Sequence, residues 1–170
     1  VKPEDIFIAT FTEKAAKELI TRITNELVSR NITVNVNEMY VGTFHSLCLR
    51  IIKDHLEYTR LKKNYRLLDT FDQQYLVFRN IYKFRTISGI ENVMPKGGAW
   101  KWAQAICEFS NNLTEEVADI DAMLSDHDTE ISVIAKVVNT YQAMLDEENL
   151  IDFSAIQTEC YRLLKENKDI

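Results

Sequence analysis

The sequence predicts a mostly helical chain that opens with a partial parallel α/β unit and continues into an all-α portion. Three observations carry this. Only 4 Gly and 2 Pro punctuate 170 residues, too few for a β-sandwich or barrel that must turn every ~8–12 residues. The first ~56 residues alternate strand, helix, strand, helix with short joins, the pattern of a parallel βα unit. Between residues 60 and 150 no strand pattern is visible, only helical periodicity.

Ile6-Phe7-Ile8-Ala9-Thr10 is a short apolar run that reads as a buried strand. Thr12 offers a helix N-cap, and Ala16, Leu19, Ile20, Ile23 and Leu27 recur at helical spacing to about Ser29, giving one buried face. Residues 30–38 read as a loop. Met39-Tyr40-Val41 is a second strand ending at Gly42, and a helix from Thr43 to Leu56 follows, with Leu47, Ile51, Ile52 and Leu56 on one side. Asp69-Thr70 caps a helix that runs to about Phe84, with Thr70-x-x-Gln73 in the form of a capping box. Ser88-Gly89, Pro95 and Gly97-Gly98 mark a loop over 86–98. Helices are predicted at 99–112, 114–125 and 129–148. Leu150-Ile151 is a brief apolar step, and Asp152 caps a last helix to about Lys165.

The net charge is −6, unevenly spread. Residues 1–106 carry sixteen Lys or Arg against eleven Asp or Glu; residues 107–170 carry four against fifteen. A basic front permits a phosphate-bearing partner despite the acidic total. No apolar run reaches the ~18 residues of a membrane span, and no leader is recognised, so no membrane partner is expected. Three widely separated cysteines (Cys48, Cys107, Cys160) argue against a disulfide framework and for a reducing, cytoplasmic setting. The start at Val1, straight into an apolar run, reads as a piece of something longer.

Two stretches carry chemistry. In Thr10-Phe11-Thr12-Glu13-Lys14 a strand stops, hydroxyls bracket an aromatic ring and a helix begins. A helix N-terminus is a ready seat for phosphate, Lys14 in the first turn suits an anion rather than the helix dipole, and Phe11 is placed to stack on a base. A plain cap, a core ring and a solvated lysine fit the same residues. Val41-Gly42-Thr43-Phe44-His45-Ser46 then repeats the arrangement. Both turns end parallel strands, where open α/β sheets bind ligands, and that coincidence brings a nucleic-acid reading level with the plain one. His45-x-x-Cys48 lacks a second ligand pair for zinc, so Cys48 is read as core. Trp100 and Trp102 face different ways on one helix, one toward the core and one outward.

Thr10-Phe11-Thr12-x-Lys14-Ala15-Ala16-x-Glu18-Leu19-x-x-Arg22 resembles motif Ia of UvrD/Rep-type superfamily 1 DNA helicases, and Gly42-Thr43-Phe44-His45-Ser46 resembles the next DNA-contacting motif of that family. Leu67-Leu68-Asp69-x-x-Asp72-Gln73 looks like the segment leading into the family's helical insertion, and Asn149-Leu150-Ile151-Asp152-Phe153 like the segment returning from it. The resemblance covers nearly the whole chain. It implies part of a RecA-like (P-loop NTPase) motor domain 1A over 1–66 and 149–170, carrying an all-α helical insertion subdomain, 1B, over 67–148. For a longer parent it implies ATP- and Mg²⁺-dependent 3′→5′ translocation on single-stranded DNA and duplex unwinding, in repair or recombination. The partners implied are single-stranded DNA, a single-strand/duplex junction and the parent's remaining domains. Thr10, Phe11, Thr12, Lys14, Thr43, Phe44 and His45 would contact DNA. A helicase–nuclease parent of the exonuclease V type shares these motifs. A helical protein-interaction module is the competing class, and it requires both turns to be buried.

Departures from the family pattern are equally plain. No Gly-x-x-x-x-Gly-Lys-Thr string occurs. Lys96-Gly97-Gly98 has neither its spacing nor its hydroxyl, and Asp146-Glu147-Glu148 precedes the return segment instead of following a buried strand, so it reads as a solvated helix end. No catalytic residue, no metal site and no cofactor are therefore expected within these 170 residues.

Overall fold

A computed structural model describes residues 2–168 and 170. They form two compact units, one of residues 2–54 and one of residues 55–168 and 170.

The first unit is β1 (Phe7–Thr10), α1 (Glu13–Ser29), β2 (Tyr40–Thr43) and α2 (Phe44–Asp54). β1 and β2 pair in parallel, with Phe7 opposite Tyr40 and Thr10 opposite Thr43. The predicted loop over 30–38 holds a short 3-10 turn at Val36–Glu38. Two expectations need correction. β1 is not buried: its residues alternate between exposed and half-buried, and Phe7 is exposed. On α1 only Ala16 is buried, while Leu19, Ile20, Ile23 and Leu27 are half-covered. The cause is the same for both, since a sheet of two strands cannot cover the whole apolar stripe of a helix. Met39, Leu47, Cys48 and Ile52 complete the small core. Arg50 lies 4.1 Å over the Tyr40 ring, and the Tyr40 hydroxyl donates to Asp54 Oδ2 at 3.1 Å. Burial, then the Asp54 carboxylate, raises the pKa of that hydroxyl.

The second unit runs β3 (Arg66–Leu68), α3 (Thr70–Arg79), α4 (Ile81–Arg85), α5 (Ile90–Val93), α6 (Ala99–Glu115), α7 (Ile120–Leu124), α8 (Thr129–Glu147), β4 (Leu150–Asp152) and α9 (Phe153–Glu166). β3 is a strand within the stretch expected to have none. It pairs in parallel with β4, Arg66 opposite Leu150 and Leu68 opposite Asp152. The helix expected through Phe84 breaks at Asn80, whose side chain donates to the carbonyl of Leu76 and so competes with the helical ladder. The loop over 86–98 contains α5, which starts from Gly89 at φ 84°, a left-handed position open to glycine. The helix expected from 114 begins only at Ile120, because α6 continues through Glu115 and Val117 then turns at φ 53°.

The core of this unit is apolar, built on Val77, Phe84, Ile106, Val137 and Leu150, with one buried polar knot. Asp152 Oδ2 accepts from Tyr141 Oη at 2.6 Å and from Gln73 Nε2 at 3.2 Å, while its Oδ1 accepts from the Ala155 N–H at 2.9 Å. Gln73 also donates to Asn111 Oδ1 at 2.7 Å. One carboxyl group thus caps α9 and ties α3 and α8 to β4. It also overturns the capping box read at Thr70 and Gln73. Asp69 is the cap, accepting from the Asp72 N–H at 2.8 Å, and Gln73 is turned inward to the knot. Asp146 and Glu147, at the end of α8, pair with Arg60 and Lys83.

Candidate nucleic-acid interface

The site is built where β1 and β2 stop. Because Thr10 and Thr43 are opposite each other in a parallel pair, the segments that follow leave the same edge. Thr12 caps α1, its Oγ1 accepting from the Ala15 N–H at 3.2 Å. Thr43 does the same for α2, accepting from the Ser46 N–H at 3.2 Å. The two helix N-termini, each the positive end of a dipole, therefore sit side by side. Gly42 is buried where the second turn begins, and a Cβ there would lie 2.6 Å from Ser46 Oγ.

The seven residues picked out in the sequence fall together at this edge. Phe11 is fully exposed and Phe44 is 46% exposed. Thr12 and Lys14 are exposed, and Thr43 and His45 are half-buried. Thr10 is occupied structurally, its hydroxyl donating to the carbonyls of Thr12 at 3.1 Å and Gly42 at 3.4 Å. It stitches the two turns together instead of reaching outward. Thr10 also lines a shallow hollow of about 330 Å³ with Ala15, Glu18, Leu19 and Arg22, where Arg22 pairs with Glu18 at 2.6 Å.

One participant was missed. Glu13 Oε1 accepts from Thr43 Oγ1 at 3.3 Å, which places a carboxylate between the turns. No local signal marks this role, because it depends on the strand register. An anion arriving here would compete with Glu13 for the Thr43 hydroxyl.

Gly97 and Gly98 lead into α6, and a Cβ at Gly97 would lie 2.5 Å from Lys101 Cδ. No described helix is long and apolar enough to cross a membrane.

Comparison with known proteins gives the arrangement its context. Residues 1–170 match the model of the UvrD/REP helicase N-terminal domain. The chain belongs to that family. Among relatives of the UvrD/REP N-terminal domain in this chain, the ATP-dependent DNA helicase SRS2 of Saccharomyces cerevisiae is 28% identical over 96% of the chain. The ATP-dependent DNA helicase PcrA of Staphylococcus epidermidis is 30% identical over 90% of it, and the probable DNA helicase II homolog of Rickettsia felis 28% over 99%. The chain spans 15%, 19% and 24% of the lengths of these three relatives, respectively.

Proposed function

We propose that this chain supplies strand-holding surfaces to a UvrD-type superfamily 1 DNA helicase. In this reading Phe11 and Phe44 lie against bases of single-stranded DNA. Thr12, Lys14, Thr43 and His45 hold its backbone, and Thr10 braces the two turns. The observation that carries the reading is the full exposure of Phe11 at a strand end level with Thr43-Phe44. Two exposed rings at one strand edge, instead of one scattered surface residue, are what a binding surface presents, and a module without a nucleic-acid role would bury both turns.

Residues 1–66 and 149–170 are taken as part of motor domain 1A, with 67–148 as the helical insertion 1B that lies toward a single-strand/duplex junction. The pairing of β3 with β4 supports this, because the strands leading into and out of an insertion must be neighbours. Lys62 N–H donates to Asn149 Oδ1 at 2.8 Å, closing the same neck. Within a longer parent, ATP and Mg²⁺ bound elsewhere would drive 3′→5′ translocation and unwinding in repair or recombination. Cys48, Cys107 and Cys160 are buried, and a cytoplasmic setting is part of the same proposal.

Titration of labelled single-stranded and duplex oligonucleotides at two salt concentrations tests the reading. Binding by the isolated chain is expected to be weak, salt-sensitive and preferential for single strands, because residues 107–170 oppose non-specific attraction. Tight, salt-insensitive duplex binding would contradict it.

A further inference from the structure

We propose that the outward face of α3 and the start of α6 form a stacking platform for single-stranded DNA, a second strand-holding surface in the residue 55–170 unit. Phe71, Tyr75 and Phe78 recur at i, i+4 and i+7, on one side of α3. The side bearing Gln73, Leu76 and Val77 is buried, so the packing needs of the helix are already met there. An ordinary amphipathic helix would place polar residues on the other side. Here Phe71 is 62% and Tyr75 45% exposed.

The rings hold one another in place. Phe71 and Tyr75 are parallel to within 5°, with centroids 6.1 Å apart. Phe71 and Phe78 lean on the half-buried Trp100 at 5.9 and 5.5 Å. Trp100 is thus part of this surface, while Trp102 packs against the core. From Phe71 to Phe78 the helix rises about 10 Å, the run of about three stacked bases.

Charge decides the occupant. Residues 70–105 carry five Lys or Arg and two Asp or Glu, in a chain of net charge −6. Arg79 lies 5.8 Å over the Tyr75 ring, and Lys101 follows Trp100. Neither makes a salt bridge among the described residues. Exposed rings with Arg79 over one of them suit a polyanion with open π-faces, which unpaired bases on a phosphate backbone supply. A duplex hides those faces. The choice of DNA as the strand rests on the reading above; the platform itself is independent of residues 10–14 and 43–45.

The test titrates the whole chain with labelled dT12, reading anisotropy and tryptophan fluorescence together. Binding is expected to quench the fluorescence, with Trp100→Phe abolishing most of the quench and Trp102→Phe sparing it. Phe71→Ala with Tyr75→Ala is expected to weaken binding about tenfold at unchanged salt slope. Arg79→Gln with Lys101→Gln, which leaves the rings in place, is expected to weaken it and flatten that slope, and it carries the test alone should the ring variant melt early. Phe11→Ala should keep the full quench at saturation, which separates the two surfaces. A rise in anisotropy without any quench overturns the platform while leaving the turns of residues 10–12 and 43–45 intact. A wild-type chain that self-associates, and that Phe71→Ala with Tyr75→Ala renders monomeric without loss of dT12 binding, makes this face a contact between copies and also overturns it.

Discussion

Thr10 and Thr43 stand opposite each other in the parallel pair β1–β2, and each is followed by an exposed phenylalanine. This single register brings two turns, 33 positions apart in sequence, to one edge. Their cooperation comes from the hydroxyls. Thr10 donates to the carbonyls on either side, and Thr43 reaches across to Glu13.

The Thr43–Glu13 contact leads to the first prediction. Replacing Glu13 with Gln removes a negative charge from between the turns while leaving an oxygen that can accept from Thr43. Single-strand binding is expected to strengthen severalfold at low salt, and the gain should shrink as salt rises. Anisotropy titrations at two ionic strengths measure it; weaker binding would show that the carboxylate helps to hold the strand.

Nucleotide hydrolysis is the second test. With no Gly-x-x-x-x-Gly-Lys-Ser/Thr string among the 170 residues, phosphate release from ATP should stay at background, with or without single-stranded DNA. Hydrolysis that rises with added DNA would contradict this assignment of roles.

The buried knot predicts a stability effect. Tyr141→Phe removes one of the two side-chain donors to Asp152 Oδ2 and leaves Gln73 in place. A loss of about 1–3 kcal/mol is expected, read as a lower midpoint in urea at unchanged slope. Asp152→Ala should cost more, since it strips Tyr141 of its acceptor, Gln73 of one of its two acceptors and α9 of its cap together.

Alkaline pH should act on the same region. Burial, then the nearby Asp152, pushes the Cys107 thiol from an ordinary 9.0 up to about 12. Between those values the unfolded thiol loses its proton and the folded one keeps it. The stabilisation is therefore complete below pH 9 and is lost as pH rises toward 12. In Cys107→Ala the fall of Tm across that window should be shallower than in the parent chain.

Much of this was legible in sequence because the signals are local. Thr12 and Asp152 announce helix starts by residue type, and the two hydroxyl–aromatic turns follow strands short enough to recognise. β3 was not legible: Arg66-Leu67-Leu68 has no alternation of its own and becomes a strand only against Leu150–Asp152. Gln73 misled for a related reason, since the box pattern is local whereas its partners, Asn111 and Asp152, are brought by tertiary packing. The aromatic side of α3 was hidden in the same way, because only the fold shows that Leu76 and Val77 are turned inward while Phe71 and Tyr75 remain in water.

Phe11→Ala tests the central claim most directly, measured by single-strand titration and thermal melting on the same preparation. The ring is fully exposed, so its loss should leave Tm within a degree or two of the parent chain. Base–aromatic stacking would be lost, and affinity for dT12 should fall about tenfold with the salt slope unchanged. A variant that melts early yet binds dT12 normally while folded would place Phe11 in the core and contradict the account.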